Sequence, residues 1–258
     1  MHTPSSSIGG SARRAALAVA GAAAFVHAAA ADAPAACSAR SGTQAAAVVE
    51  LYTSEGCNSC PPADRWLGAL KGRSDVVGLA FHVDYWDRLG WVDRFGSPAY
   101  TRRQAEQHAV NGARFSYTPQ VVVDGRDRPD WPRVAVGDAR PAAPVAIVLE
   151  RDGDRVRATV TTDTSDKSPR RLAAYWALTE FGHRSVVKAG ENEGATLDHD
   201  FVVRELQPVA AWNAVAGGSQ SLAYAVPPAR DTAHPRRVNL VVLDAATGRP
   251  VQALSLGC

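Results

Sequence analysis

The chain has 258 residues, 46% of them hydrophobic, and its 28 basic and 26 acidic side chains leave a formal net charge of +2 at pH 7. This length and apolar content indicate a globular protein with one large or two modest hydrophobic cores. The near balance of charge excludes a broad basic surface, so we expect no nucleic-acid partner.

The first 36 residues have the features of an export signal. Arg13 and Arg14 precede an alanine-rich apolar run over residues 15–31, and small residues that suit cleavage follow near residues 28–36. A transmembrane anchor, a twin-arginine signal and a lipid anchor on Cys37 are alternatives, but the run is short and only weakly apolar. The sequence therefore predicts a periplasmic or secreted protein with no membrane span in its mature form.

A C-x-x-C pair, Cys57 and Cys60, follows a short apolar run and opens a predicted helix. Pro61 and Pro62 suit the first turn of that helix, and the apolar residues after them recur at helical spacing. A thiol at a helix N-terminus has a lowered pKa because the helix dipole and free backbone N–H groups stabilise the thiolate. We predict that Cys57 attacks and Cys60 resolves the mixed disulfide; half of a zinc site or two buried thiols are the alternatives.

Residues 76–85 have the pattern of a strand, and residues 97–108 have that of a helix with Ser97 as its N-cap. His82 and Asp84 share one face of the predicted strand, either as acid/base groups or as structural polar residues. The aromatic and charged stretch between strand and helix, residues 86–95, begins with Trp86. This loop either forms a substrate-binding groove beside the cysteines or packs over the core.

A Thr118-Pro119 dipeptide comes next, followed by a short β-branched strand and an Asp124-Gly125 hairpin signal. A stretch rich in proline, arginine and alanine then spans residues 129–144. The strands predicted beyond it, over residues 146–160, 172–179 and 238–243, indicate a β-sandwich-like second domain. Three histidines of this part stand singly and are predicted to be surface or structural residues: His183, His199 and His234.

The strand, the C-x-x-C helix and the later Thr-Pro strand resemble the thioredoxin fold, in which a cis proline lies against the redox pair. The resemblance carries over to Cys57, Cys60 and Pro119. It implies that Pro119, with Thr118 before it, exposes backbone that pairs with an extended substrate. The Asn-Ser dipeptide between the cysteines differs from the Gly-Pro of thioredoxins, which leaves the direction of electron flow open.

More closely, the chain resembles domain-of-unknown-function family 1223, a secreted thioredoxin-like family, over roughly residues 45–258. The segments that carry this resemblance are residues 50–64, 81–87, 117–125 and 191–194. It implies an α/β thioredoxin-like domain followed by a smaller β-rich, sandwich-like domain. The expected organisation is a signal peptide and mature N-terminal segment (1–36), the thioredoxin-like domain (37–140) and the β-rich domain (141–258).

Thioredoxins also place a buried acid in the strand before the cysteines, and Glu50 lies one residue out of that register. A buried carboxylate tends to have a raised pKa, so Glu50 could accept the proton of Cys60 during resolution. The alternative is a structural carboxylate bonded to nearby backbone or tyrosine.

The two remaining cysteines, Cys37 and Cys258, lie at opposite ends of the mature chain. In an oxidising compartment an even number of cysteines indicates bridges, so we predict a structural disulfide between them. A free Cys258 that resolves Cys57 is the alternative.

Together these features predict an exported thiol-disulfide oxidoreductase that acts on a protein or small thiol or disulfide substrate, without a cofactor or metal. One alternative is a periplasmic Cu(I)-binding chaperone with Cys57, Cys60 and His82 as ligands, since soft thiolates suit that ion. The other is a non-catalytic binding module in which the C-x-x-C pair is a structural disulfide.

Overall fold

The computed structural model describes residues 1–2, 9, 37–165 and 170–258. The apolar run and arginines of the predicted export signal lie outside the described residues. From Cys37 onward the chain forms one compact unit. In the part that the structure describes, none of the helices has both the length and the apolar character that a membrane span requires.

Strands dominate the described structure. They are β1 (Cys37–Arg40), β2 (Ala47–Thr53), β3 (Val76–His82), β4 (Gln120–Val123), β5 (Arg126–Asp127), β6 (Val145–Asp152), β7 (Arg155–Thr162), β8 (Arg170–Glu180), β9 (His183–Val186), β10 (Thr196–His199), β11 (Val202–Ala214), β12 (Ser219–Ala225), β13 (Arg236–Asp244) and β14 (Pro250–Leu256). The helices are α1 (Pro61–Gly68), α2 (Pro98–Glu106) and α3 (His108–Asn111), and 3₁₀ turns span Asp87–Leu89 and Trp131–Arg133.

These strands form three sheets. The largest has eight strands in the order β14-β13-β8-β11-β3-β2-β4-β5, a second has the order β1-β6-β7-β12, and β9 pairs with β10. Within the large sheet β2 runs parallel to β3 and antiparallel to β4. Strands from both the first and the second half of the chain therefore belong to the same sheet.

The two halves of the large sheet meet at a short seam between β3 and β11. The ladder there consists of the parallel pair Val202 and Ala80, and the Ala80 amide donates to the Phe201 carbonyl at 2.8 Å. A Cβ atom on Gly78 would lie 2.9 Å from the Phe201 ring, so glycine is needed for the ring to pack on β3. Phe201 has a φ of 59°, in the left-handed region that few non-glycine residues occupy.

Each face of the sheet has its own core. Alternation along β2 divides the buried strand into two sets, since successive side chains point to opposite faces. One face packs against α1, with Ala47, Val49, Leu51, Ala63 and Leu67. The other packs against α2, with Val48, Tyr52, Phe81 and Tyr100. The four-stranded sheet covers β8, β13 and β14 around the fully buried Trp176.

The predicted fold class, an α/β thioredoxin-like domain followed by a smaller β-rich, sandwich-like domain, is wrong. Of the described residues 44% are in strands and 12% in helices, and they form three sheets, so this is not an α/β thioredoxin-like fold. The prediction treated strands β2–β4 as a self-contained βαβ sheet. The outer edge of β3 instead pairs with β11, which joins those strands to four later ones in one sheet.

Several local predictions are confirmed. Ser97 caps α2, because its hydroxyl oxygen accepts a hydrogen bond from the amide of Ala99 at 3.2 Å. Asp124 and Gly125 both have positive φ and connect β4 to β5, as the hairpin signal predicts. Both signals act within a few residues, so they depend little on the fold around them.

A disulfide joins Cys37, at the start of β1, to Cys258, after β14. Its cysteines are 221 positions apart, so it closes nearly the whole described chain. We expect the double replacement C37S/C258S to lower the free energy of unfolding by about 2–5 kcal/mol, because the unfolded chain regains the entropy of an open loop. Urea unfolding of the oxidised protein measures this. A loss below about 0.5 kcal/mol would show that packing alone holds the two ends.

Candidate redox site and adjoining polar cluster

The C-x-x-C pair lies at the junction between β2 and α1, as the sequence predicts. Cys60 is the N-cap of α1, and Pro61 and Pro62 occupy the first turn. The amides of Ala63 and Asp64 donate to the carbonyl of Cys60 at 2.9 and 3.1 Å. A disulfide joins Cys60 to Cys57. The pair thus closes a small ring at the start of the helix.

Both cysteines of this pair are fully buried, each with 0% of its surface exposed. The residues between them, Asn58 and Ser59, are exposed. The hydroxyl of Ser59 lies 3.4 Å from the sulfur of Cys57. A thiolate must reach a sulfur to exchange with it. The residues that bury the two sulfurs therefore have to move before any exchange.

Glu191 and Asn192 bind the backbone of residues 54–60, which we call the cysteine loop. The side-chain amide of Asn192 donates to the carbonyls of Glu55 and Cys57, at 2.8 and 3.0 Å. The Glu191 carboxylate accepts from the amide of Asn58 at 3.3 Å. These bonds link the cysteine loop to a segment more than 130 residues away in sequence.

Trp86 and the Thr118-Pro119 dipeptide lie at the same end of the sheet as the cysteines. Trp86 packs against Gly56 of the cysteine loop, since a Cβ atom on Gly56 would lie 3.0 Å from the Cβ of Trp86. Its indole N–H donates to the hydroxyl of Thr118 at 2.8 Å. The Thr118-Pro119 bond is cis, and Pro119 precedes the start of β4. The structure therefore places Trp86 against the residue before Cys57, with Thr118 bonded to Trp86 and Pro119 at the same end of the sheet.

Glu50 lies elsewhere. Alternation along β2 places it on the face opposite α1, with Val48 and Tyr52. Its Oε1 atom accepts from Arg103 at 2.5 Å and from the Tyr175 hydroxyl at 2.8 Å. These are the contacts of a structural carboxylate, and the structure does not bring Glu50 to the cysteines.

Beside the cysteine loop lies a group of polar side chains, four of them buried and Asp64 half-buried, which we call the polar cluster: Glu55, Asp64, His82, Asp93 and His199. His82 Nδ1 lies 2.7 Å from Asp93 Oδ2, which also accepts from the Glu55 amide at 2.8 Å. His199 Nε2 is 3.4 Å from Glu55 Oε1. The Thr53 hydroxyl donates to Asp64 Oδ2 at 2.9 Å. The cluster thus joins the ends of β2, β3 and β10 to the first turn of α1.

Burial and the attraction between neighbouring groups shift the pKa values of three side chains in this cluster. Burial alone would lower the pKa of His82, but the charge and hydrogen bond of Asp93 raise it above its ordinary value. Burial opposes ionisation of Asp93, but His82 and two backbone amides lower its pKa to about 2. For Asp64 burial dominates and raises the pKa. His82 and Asp93 therefore form a buried, hydrogen-bonded pair in which each group favours the charged form of the other.

The sequence did not reveal this cluster. His199 was predicted to be a surface or structural residue, and the structure buries it with 3% of its surface exposed. For Asp84 the sequence leaves open an acid/base group or a structural polar residue, and in the structure Asp84 accepts from the Thr101 hydroxyl at 2.5 Å. Glu55 and Asp64 flank the cysteines in sequence, which is the signal that could have drawn attention to them. His199 carries no such local signal, because it reaches the cluster only through the β9–β10 hairpin.

Two solved structures resemble the chain. Protein AGR_C_4864 of Agrobacterium tumefaciens is 27% identical, with a TM-score of 0.59, and the match covers 83% of this chain and 96% of that one. HBP35 of Porphyromonas gingivalis is 15% identical, with a TM-score of 0.57, and the match covers 83% and 75% of the two chains. The second likeness, at that identity, shows a shared fold alone. No curated protein matches the chain.

A family model also matches residues 48–243, which include the cysteine pair, the Thr118-Pro119 dipeptide and the polar cluster. This span is well over half of the chain. The chain therefore belongs to the family described as protein of unknown function (DUF1223).

Proposed function

We propose that the protein is an exported thiol-disulfide oxidoreductase in which Cys57 and Cys60 exchange with a thiol or disulfide substrate. The observation that carries the proposal is the disulfide between these cysteines at a strand–helix junction, beside half-buried Trp86, Thr118 and Pro119. The proposal rests on this local arrangement and not on a thioredoxin-like fold.

The exchange proceeds in two steps. A substrate thiolate attacks the sulfur of Cys57, the Cys57–Cys60 bond breaks, and Cys60 leaves as a thiolate that takes a proton from water. A second substrate thiolate then attacks the substrate sulfur of the mixed disulfide and displaces Cys57. The substrate loses two electrons and becomes a disulfide, and the pair gains them as a dithiol. The reverse sequence reduces a substrate disulfide.

Three neighbours have roles in this proposal. The Ser59 hydroxyl, 3.4 Å from the Cys57 sulfur, can donate a hydrogen bond to a thiolate there. Trp86, Thr118 and Pro119 form the surface that an extended substrate contacts. Access to the buried sulfurs requires the cysteine loop to move, and the bonds from Asn192 to the carbonyls of Glu55 and Cys57 oppose that movement.

The complete burial of both sulfurs favours a second candidate, a binding module in which the pair is a structural disulfide. A structural bridge is inaccessible to thiols and has a low reduction potential, whereas a redox pair is accessible and has a higher one. The two candidates therefore differ in a quantity that can be measured directly.

The reduction potential of the Cys57–Cys60 pair is expected to lie between about −270 and −120 mV, the span of proteins that exchange disulfides. Glutathione buffers of graded potential, followed by thiol trapping and mass mapping, measure it. Mass mapping follows the bridge between Cys37 and Cys258 in the same buffers, so that the two bridges are measured separately. A potential below about −300 mV for Cys57–Cys60 would make that bridge structural and support the binding module.

A further inference from the structure

We propose that Asp64, His82 and His199 form a binding site for a divalent transition-metal ion such as Zn²⁺. This inference goes beyond the proposed redox function and does not depend on it. One nitrogen or oxygen atom from each of these residues lies within 4.8 Å of the others. In the tetrahedral geometry that Zn²⁺ prefers, ligand atoms about 2.0–2.2 Å from the ion lie about 3.3–3.6 Å apart, so the site closes when these side chains move inward by up to about 1.5 Å.

The strongest observation is that buried imidazole nitrogens at this point have no hydrogen-bond partner among the described residues. They are Nε2 of His82 and Nδ1 of His199, while Nε2 of His199 faces the Glu55 carboxylate at 3.4 Å. The two residues are only 1% and 3% exposed. Because an unpartnered buried polar atom is costly, such atoms indicate an interaction that the protein chain alone does not supply.

The surroundings of His82 are those of a metal ligand. Asp93 bonds to Nδ1 of His82 at 2.7 Å, which leaves Nε2 to face the site. Metal-binding histidines nearly always have such an outer carboxylate or carbonyl, which fixes the ring orientation and raises ligand basicity. Asp93 is therefore the positioning residue of the proposed site.

The donor set selects the class of ion. Two imidazoles and one carboxylate suit Zn²⁺, Fe²⁺ or Co²⁺, whereas Cu(I) favours sulfur ligands and Mg²⁺ and Ca²⁺ favour oxygen. Glu55 lies next to this set, with its Oε1 atom 3.4 Å from His199 Nε2. Glu55 supplies a fourth ligand if the ring of His199 turns toward the ion. The site differs from the copper site considered above, since it uses neither Cys57 nor Cys60.

Calorimetric titration of the full oxidised protein with Zn²⁺ tests the proposal. We expect one ion per chain, with the same affinity in the C57S/C60S variant, which would separate this site from the redox pair. D64N and H199Q should each bind Zn²⁺ at least about 100-fold more weakly, and D93N about 10–100-fold more weakly because it removes only the outer partner of His82. The control H108Q, which changes a histidine outside the cluster, should bind normally.

Folding is checked on the same samples by thermal unfolding without metal, and Asp64 is the most informative position because it is only half-buried. With Co²⁺ as the probe, the visible spectrum should lack a sulfur-to-metal charge-transfer band. Absence of stoichiometric Zn²⁺ binding, unchanged affinity in folded D64N, or a sulfur charge-transfer band would each overturn the proposal.

Discussion

Replacing Cys57 with serine is expected to abolish disulfide exchange, whereas C60S should still react and accumulate a mixed disulfide. In the proposed order of events Cys57 bonds to the substrate, and without Cys60 no neighbouring thiol displaces that substrate. The measurement is the reaction of each reduced variant with glutathione disulfide, followed by intact-mass analysis. Wild type should end as the internal disulfide, C60S with one added glutathione, and C57S unchanged.

The matched control is C37S/C258S, which removes the other bridge and leaves the C-x-x-C pair intact. It should exchange as the wild type does at a temperature where it remains folded. Accumulation of a mixed disulfide by C57S and not by C60S would reverse the two roles. Lack of reaction by the reduced wild type would instead support the structural-disulfide candidate.

The largest expected effect on stability follows from replacing Arg103 with methionine. Arg103 pairs with Glu50 at 2.5 Å, and their side chains are only 14% and 9% exposed. The variant leaves a buried carboxylate without its cation, which costs about 3–5 kcal/mol of unfolding free energy. Arg103 also stacks over the rings of Phe81 and Tyr175, at 5.0 and 4.7 Å from their centroids. Urea unfolding at neutral pH measures the loss.

Two further variants sharpen this experiment. Arg73 forms an exposed pair with Asp75, so R73M should cost at most about 1 kcal/mol. The double variant E50Q/R103M should recover part of the loss, since it removes the uncompensated charge together with its partner. Equal effects of R103M and R73M would show that the buried pair contributes no more than a surface pair.

The parts of the structure that could be predicted are those that depend on neighbouring residues. The Ser97 cap and the Asp124-Gly125 hairpin follow from the backbone preferences of the residues concerned. The position of Cys57 and Cys60 before α1 is of the same kind, because proline and helical spacing mark the start of that helix.

The remainder depends on contacts between distant segments. An apolar strand such as β3 indicates burial but does not identify its partners, so pairing with β11 could not be foreseen. Glu50 was correctly placed in a buried strand, yet its function depends on which side of the sheet it faces. The polar cluster combines two loops, a helix and two strands, and His199 joins it from late in the chain.

The seam between β3 and β11 also bears on how the protein is made. Synthesis proceeds from the N-terminus, so β2, β3 and β4 are complete well before Phe201 and Val202 exist. During that interval the outer edge of β3 has no strand beside it, and an open edge can pair with other chains. Because β3 acquires its second neighbour only at this late point, the cysteine-bearing sheet cannot be completed until most of the polypeptide has been synthesised.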